Sequence, residues 1–121
     1  MASKYRIQVK TITIPNATNP GTITAESETL ANDYKQCIGL CLHVASNAND
    51  DPINIQIKDE DGVIVDYIHS EHLTVNPSTA MNDRWHKANF KALGKKVFIN
   101  ADPIAATTAN VTFQIAFLLE R

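Results

Sequence analysis

Large apolar side chains occupy every second position near the end of this chain. The set is Val111, Phe113, Ile115, Phe117 and Leu119. Successive side chains of an extended strand point to opposite faces, so this spacing predicts a strand with one face in a core. The same two-residue rhythm recurs along most of the sequence, which indicates strands rather than helices.

The rhythm is repeated in about eight short segments, without an internal sequence repeat. A chain of 121 residues has the length of one domain with one core. Its 13 Ile, 7 Val and 11 Thr side chains are branched at Cβ, which suits a pleated surface. We therefore predict one all-β domain over residues 1–121: a two-sheet antiparallel β-sandwich, jelly-roll-like, of about eight strands.

The alternation reverses its phase within the first strand. Two apolar sets alternate in opposite phase: Tyr5, Ile7 and Val9, then Ile12 and Ile14. One extra residue inserted into the strand would absorb this change of phase. We therefore expect either a β-bulge near Lys10–Thr11 or a strand that crosses between the two sheets.

Two further segments differ in their polarity and hence in their expected place in a sheet. Thr22–Leu30 is polar and has a weak apolar face, which predicts an edge strand. Gln36–Ala45 is apolar or small on both faces, which predicts a central strand covered on both sides. Within it, Gly39 would let another group approach the backbone closely.

Cys37 and Cys41 are the only cysteines of the chain. Four residues of one strand, at ~3.3 Å each, would separate them by about 13 Å. A disulfide spans at most ~7 Å between Cα atoms, so two reduced thiols are predicted. Reduced thiols are typical of a protein that is assembled in a reducing cytoplasm.

The middle of the chain predicts one hairpin and one ambiguous segment. Ile53–Lys58 alternates, the acidic turn Asp59–Gly62 follows, and Val63–Ile68 returns. Residues 78–93 fit two alternatives. His86, Ala88, Phe90 and Ala92 alternate as in a strand, which we favour. Met81, Trp85, Ala88 and Ala92 have helical spacing, with Ser78 as N-cap and Gly94 after the last turn.

Charge is segregated along the chain although the formal net charge is only −2. Residues 50–71 carry seven acidic side chains against one base, and residues 83–96 carry five bases against one acid. Such segregation would guide the basic face of one copy onto the acidic face of another. The candidate interaction surface is Arg84, Trp85, Lys87, Lys91 and Lys95, together with Asp59, Glu60 and Asp61. The alternative is two solvated loop regions of opposite sign.

No pattern in the sequence carries catalytic chemistry. His69, Glu71 and His72 are close in sequence, but a strand would point the two imidazoles to opposite faces. Cys41 and His43 would share a face without a further ligand. The acidic turn lacks the oxygen ligands of an EF-hand, and nucleophile elbows and glycine-rich phosphate loops are missing. We therefore predict no catalytic residues, no metal, no cofactor and no enzyme activity.

Composition also limits the partners. The net charge argues against a nucleic-acid partner, although Arg84–Lys96 mixes bases with aromatics. No apolar run approaches the ~18 residues of a membrane helix, and Met1–Tyr5 has no secretory apolar region. A glycan is the alternative partner, with Trp85, Tyr34 or Tyr67 as stacking platforms.

Four segments together resemble small single-domain β-sandwich or jelly-roll proteins of tailed-bacteriophage virions. The segments are YKQCIGLCLHV (Tyr34–Val44), INIQIKDEDGVIV (Ile53–Val65), FKALGKKVFI (Phe90–Ile99) and FQIAFLL (Phe113–Leu119). Such proteins decorate capsids or form collars and fibres. The resemblance implies a non-enzymatic structural protein that forms a homo-oligomer, contacts other virion proteins, and is assembled in the host cytoplasm before it resides in the virion. The alternative is a carbohydrate-binding β-sandwich module.

Overall fold

A computed structural model describes residues 4–49, 51–70, 73 and 85–121 of the chain. The strands are β1 (Tyr5–Ile14), β2 (Thr24–Thr29), β3 (Gln36–Ser46), β4 (Ile53–Asp59), β5 (Gly62–His69), β6 (His86–Lys91), β7 (Lys96–Pro103) and β8 (Val111–Glu120). They form two four-stranded antiparallel sheets, and the described ranges contain no α-helix. The predicted all-β sandwich of eight strands is confirmed.

The two sheets share one pattern of nested pairs. The β8 sheet has the order β1-β8-β3-β6, and the β7 sheet has the order β2-β7-β4-β5. Strand β1 pairs with β8, β2 with β7, β3 with β6, and β4 with β5, always antiparallel. This is the arrangement of one long hairpin rolled up so that its arms alternate between the two sheets. Strand β2 lies at a sheet edge, as its polar sequence predicts.

The core lies between the sheets and is built by alternate residues of the central strands. The predicted face of β8 is confirmed, because all five of its members are at most 2% exposed: Val111, Phe113, Ile115, Phe117 and Leu119. The β7 sheet contributes an equivalent set: Ile53, Ile55, Ile57, Val97, Ile99 and Ala101. The two apolar faces meet because only this arrangement removes both from water.

Both predicted explanations of the phase change in β1, a bulge near Lys10–Thr11 and a crossing between the two sheets, are wrong. Strand β1 pairs with β8 in one unbroken register from Tyr5 opposite Glu120 to Ile14 opposite Val111. Ile12 and Ile14 are buried in the core, so Ile7 lies on the outer surface of the sheet. The apolar side chains therefore lie on the outer side in the first half of β1 and on the core side in its second half. This change of side produces the change of phase in the sequence.

The irregularity occurs instead in β3. Its register against β8 shifts between Cys37 and Gly39, so Ile38 is the extra residue. Because of this bulge, Cys37 shares the core side with Leu40 rather than facing outward with Gly39. Strand β3 lies between β8 and β6, which confirms its central place. The prediction that both its faces are covered is wrong for residues 43–46, which are exposed.

The remaining strand predictions are confirmed with small changes of boundary. The hairpin of β4 and β5 turns through Asp59–Gly62, where the Asp59 carboxylate accepts hydrogen bonds from the amides of Asp61 (2.8 Å) and Gly62 (3.0 Å). Strand β6 shows that residues 86–91 are extended, so the helical alternative is wrong there. Residues 78–84 lie outside the described residues. Strand β7 continues to Pro103, farther than the alternation suggests.

Both cysteines are free thiols on β3, as the spacing predicts. Cys37 is fully buried, and its burial raises the pKa of the thiol to about 12. Cys41 is only partly buried, and burial raises its pKa as well. Both residues are therefore free thiols, but reagents in solution can reach Cys41 more easily than Cys37.

Candidate assembly surface

The outer face of the β8 sheet carries a contiguous set of apolar side chains in its middle rows. The register places neighbouring outward residues in rows across β1, β8 and β3. One row is Ile7, Leu118 and Gly39, and the next row is Val9, Ala116 and Cys41. Both rows consist of apolar or small residues.

We call this region the apolar face; its members are Tyr5, Ile7, Val9, Cys41, Trp85, Ala116 and Leu118. The β1 members protrude most, because Tyr5 is 46% exposed, Ile7 58% and Val9 45%. The β3 and β8 members are half-buried. Scattered exposed apolar residues are ordinary, whereas a contiguous set across three strands is a candidate contact surface.

Trp85 completes the apolar face from the β6 side. A Cβ atom at Gly39 would lie 3.1 Å from Trp85 Cβ, 3.3 Å from Trp85 Cε3 and 3.4 Å from Leu118 Cβ. The side chain of Trp85 therefore lies against the backbone of Gly39. This confirms the prediction that another group approaches the backbone closely at Gly39. The face thus has a raised column on β1, small residues in its middle and an aromatic ring on its far side.

Polar residues border the apolar face at both ends of the strands. At one end Gln114 Nε2 donates to Thr11 Oγ1 (3.4 Å), and the hydroxyls of Thr13 and Thr112 are 3.1 Å apart. At the other end the row contains Glu120, Gln36 and Lys91. An apolar centre with a polar border is the usual anatomy of a protein–protein contact.

The inward side of β1 is polar where its outer side is apolar. Gln8 Nε2 donates to the Thr29 carbonyl (2.8 Å), and Gln8 Oε1 accepts from the Ala31 amide (3.0 Å). Lys10 Nζ lies 3.9 Å from a Glu26 carboxylate oxygen. These contacts join the edge strands β1 and β2 where the sandwich is open, so the apolar residues of β1 are left on the outside.

The outer face of the β7 sheet has a polar centre, and its apolar side chains Phe98 and Val63 lie on either side of Lys58 near the β4–β5 turn. Asn100 Nδ2 donates to Gln56 Oε1 (2.9 Å), and Gln56 Nε2 donates to an Asp66 carboxylate oxygen (3.3 Å). These bonds link side chains of β7, β4 and β5 into a ladder that suits contact with water. Val63 and Tyr67 are exposed on β5, at the edge of this sheet.

Two of the charged residues that the sequence singles out form an ion pair within the chain. Lys95, between β6 and β7, forms an ion pair with Asp61 of the β4–β5 turn. The hydrogen bond from Lys95 lowers the pKa of Asp61, and the hydrogen bond to Asp61 raises the pKa of Lys95. Lys95 and Asp61 therefore already have an oppositely charged partner within the same chain.

The other members of the charged set are dispersed. Lys87 and Lys91 are exposed on β6, along the border of the apolar face. Asp59 and Glu60 line a shallow open depression of about 650 Å³ beside Phe98 on the β7 sheet. Arg84 lies outside the described residues. Of the members of the set that the structure describes, Trp85 alone lies in the apolar face.

The three aromatic residues considered for a glycan do not share a surface. Tyr34 is 4% exposed, and the Arg121 guanidinium lies 5.4 Å from the centre of its ring. Tyr67 lies on the β7 sheet, where burial and the carboxylates of Asp102 and Asp66 raise its pKa. Trp85 lies on the other sheet.

The metal-ligand candidates of the sequence are not assembled in the part of the chain that the structure describes. There, no group of three or more His, Cys, Asp and Glu side chains lies close enough to hold a metal ion. Glu71 and His72 fall outside the described residues. The described segments also include no helix that could span a membrane.

Comparison with solved structures shows similarity in fold. A chain of the cyanophage Pam1 capsid is similar over 96% of this chain and 84% of its own length, with a TM-score of 0.57 and 14% identity. A capsid chain of Helicobacter pylori bacteriophage KHP30 matches over 96% and 94%, with a TM-score of 0.41 and 14% identity. Latent PorU of Porphyromonas gingivalis matches over 98% of this chain and 13% of its own, with a TM-score of 0.43 and 8% identity.

No family model matches the sequence, and no curated protein matches it either. The similarity to the Pam1 capsid chain establishes a shared fold at low sequence identity. The apolar face, which sequence reasoning missed, is the feature from which a function can be argued.

Proposed function

We propose that this chain is a non-enzymatic structural component of a phage virion, of an accessory type such as a capsid decoration, collar or fibre protein, and that it self-associates. The observation that carries the proposal is the contrast between its two outer faces. One has a hydrogen-bonded polar ladder in its centre, and the other carries Tyr5, Ile7 and Val9 in the open.

The apolar face supports a role in contacts rather than in catalysis. Strand β1 keeps its apolar side chains Ile7 and Val9 outside, whereas Gln8 and Lys10 of the same strand point inward. Exposed apolar area costs solubility unless a partner removes it from water. In an assembled particle, neighbouring subunits would cover this apolar area, so it would not reduce solubility.

The fold supports the same proposal. The nested pairing of β1 with β8, β2 with β7, β3 with β6, and β4 with β5 fits a jelly roll, an architecture used by viral capsid domains. The similar chain of cyanophage Pam1 belongs to a capsid. Lectin domains also use jelly rolls, so the fold supports a virion role only together with the apolar face.

Fractionation of a culture that produces the chain tests the proposal. An antibody against the purified chain is used to follow it through a density gradient and to label the fractions for electron microscopy. We expect the chain to band with nucleic-acid-containing particles and to decorate them. A chain that stays in the protein fractions at the top of the gradient, with unlabelled particles below, would contradict the proposed function.

A further inference from the structure

We infer that the occupant of the apolar face is the same face of a second copy of this chain, related by a two-fold axis along β8. This inference rests on the proposed function and names the partner of that surface. It is carried by the register of the strands, by the absence of charge in the centre of the face and by the size of the face.

The register makes the apolar face complementary to itself. Strand β8 lies between the exposed column of β1 and the column formed by β3 and Trp85. Rotation by 180° about β8 lays each column of one copy on the other column of the second copy. Val9 then meets Cys41 of the second copy, and Ile7 meets the indole that lies on its Gly39.

Strand β8 itself falls on the axis in this arrangement. Ala116 would lie opposite Ala116 of the second copy, and Leu118 opposite Leu118. Of these two residues, Ala116 is small, so its side chain does not prevent the two sheets from approaching to the usual spacing of about 10 Å. The raised β1 column of each copy would then fill the lower β3 side of the other.

Among the described residues, the middle of β8 and its neighbours Ile7, Val9 and Cys41 carry no carboxylate, ammonium or guanidinium group. In an isologous contact only residues on the axis face their own copies, so a charge in the middle of β8 would face the same charge. Glu120 is at the last position of β8, and Lys87 and Lys91 lie on the edge strand β6, where Lys87 is opposite Gly39.

The size of the face predicts a contact of modest strength. The three strands that this axis superposes, β1, β8 and β3, lie ~4.8 Å apart and are about ten residues long, so they present roughly 500 Å² including the polar border. A standard interface removes about 800 Å² from each partner, so this contact is at the small end. We therefore expect a dimer that dissociates on dilution, and that a particle stabilises through many such contacts at once.

Cross-linking from the axis tests the inference. In a Cys41→Ser background, Ala116→Cys places one accessible thiol on β8, because Cys37 is buried. A single thiol per chain can link only two chains through a short bis-maleimide. The matched control is Val63→Cys in the same background, since Val63 is 55% exposed but lies on the β7 sheet.

We expect a product of doubled mass from Ala116→Cys at high protein concentration, its loss on dilution, and at least a tenfold lower yield from Val63→Cys. Equal yields, or no product while circular dichroism shows both variants folded, would overturn the inference. If the chain still bands with particles in the gradient, the proposed function survives, and the face is occupied by another virion protein. If it does not band there but cross-links, the function fails and the dimer stands.

Discussion

The indole of Trp85 lies on the backbone of Gly39, so closely that a Cβ at residue 39 would be 3.1 Å from Trp85 Cβ. This contact joins the start of β6 to the middle of β3 and fixes the ring in the apolar face. A larger residue at position 39 would push the ring away, and the far side of the face would change shape.

We predict that Gly39→Ala lowers the free energy of unfolding by about 1–3 kcal/mol, because the added carbon overpacks the contact with Trp85. Urea unfolding of a double-mutant cycle with Trp85→Gly measures the effect. The loss of unfolding free energy caused by Gly39→Ala should be smaller in the Trp85→Gly background. That background lacks Trp85 Cβ and Cε3, the two atoms that the added carbon would contact. Strictly additive penalties would contradict the contact.

Two isoleucines of β1 provide a test of the strand's orientation. Ile12 is 1% exposed and Ile7 is 58% exposed. We expect Ile12→Ala to lower the free energy of unfolding by about 2–5 kcal/mol through the cavity it leaves. Ile7→Ala should cost about 1 kcal/mol or less, measured at a dilution where the chain is monomeric. Equal costs would mean that β1 does not turn Ile7 outward.

The ion pair of Lys95 with Asp61 predicts a dependence of stability on pH. The pKa of Asp61 is lowered from 3.8, so the stabilisation is complete above that pH and is lost as pH falls through the lowered pKa. The pKa of Lys95 is raised from 10.5, so the stabilisation is complete below that pH and is lost as pH rises through the raised pKa.

Thermal unfolding of Asp61→Asn against the parent chain measures this dependence. We expect a small loss of Tm that is constant from about pH 5 to pH 9, shrinks in strong salt and disappears at acid pH. Glu60→Gln is the control, since it removes one negative charge from the same turn but leaves the Lys95–Asp61 ion pair in place. A loss of Tm in Asp61→Asn that persists at acid pH would show that the ion pair is not its cause.

The two thiols predict selective labelling. Cys37 is buried with a pKa of about 12, whereas Cys41 lies in the apolar face and is partly accessible. A maleimide should modify one thiol per dilute folded chain, and peptide mass spectrometry should locate it at Cys41. Labelling should slow as protein concentration rises, because the second copy covers this residue. Fast modification of Cys37 in the folded chain would contradict the position of the β3 bulge.

The sequence predicts the fold well where a strand has one apolar side, as in β8 and the β4–β5 hairpin. It fails in β1, because alternation reports which residues are apolar and not which side of the sheet they face. The polar residues Arg6, Gln8 and Lys10 were the available signal, since their inward side chains leave Ile7 and Val9 outside. The bulge at Ile38 leaves no mark, because its neighbours are apolar or small in both phases.

The candidate site was predicted only in part. Trp85 was identified for its aromatic ring among bases, and it does belong to the apolar face. Charge segregation suggested contacts between copies, but the connection between β6 and β7 brings Lys95 onto Asp61 of the same chain. Separation in sequence does not reveal such proximity, because it arises from the rolled topology.

Sedimentation velocity over a range of protein concentrations tests the central claim most directly, when the parent chain is compared with Val9→Asp and Val63→Asp. Val9 and Val63 are both exposed, at 45% and 55%, on opposite sheets, so the same new charge is placed on each outer face. We predict a concentration-dependent dimer for the parent and for Val63→Asp, in moderate salt, and a folded monomer for Val9→Asp. A parent chain that remains monomeric at high concentration, or a Val9→Asp variant that associates as strongly as the parent, would contradict it.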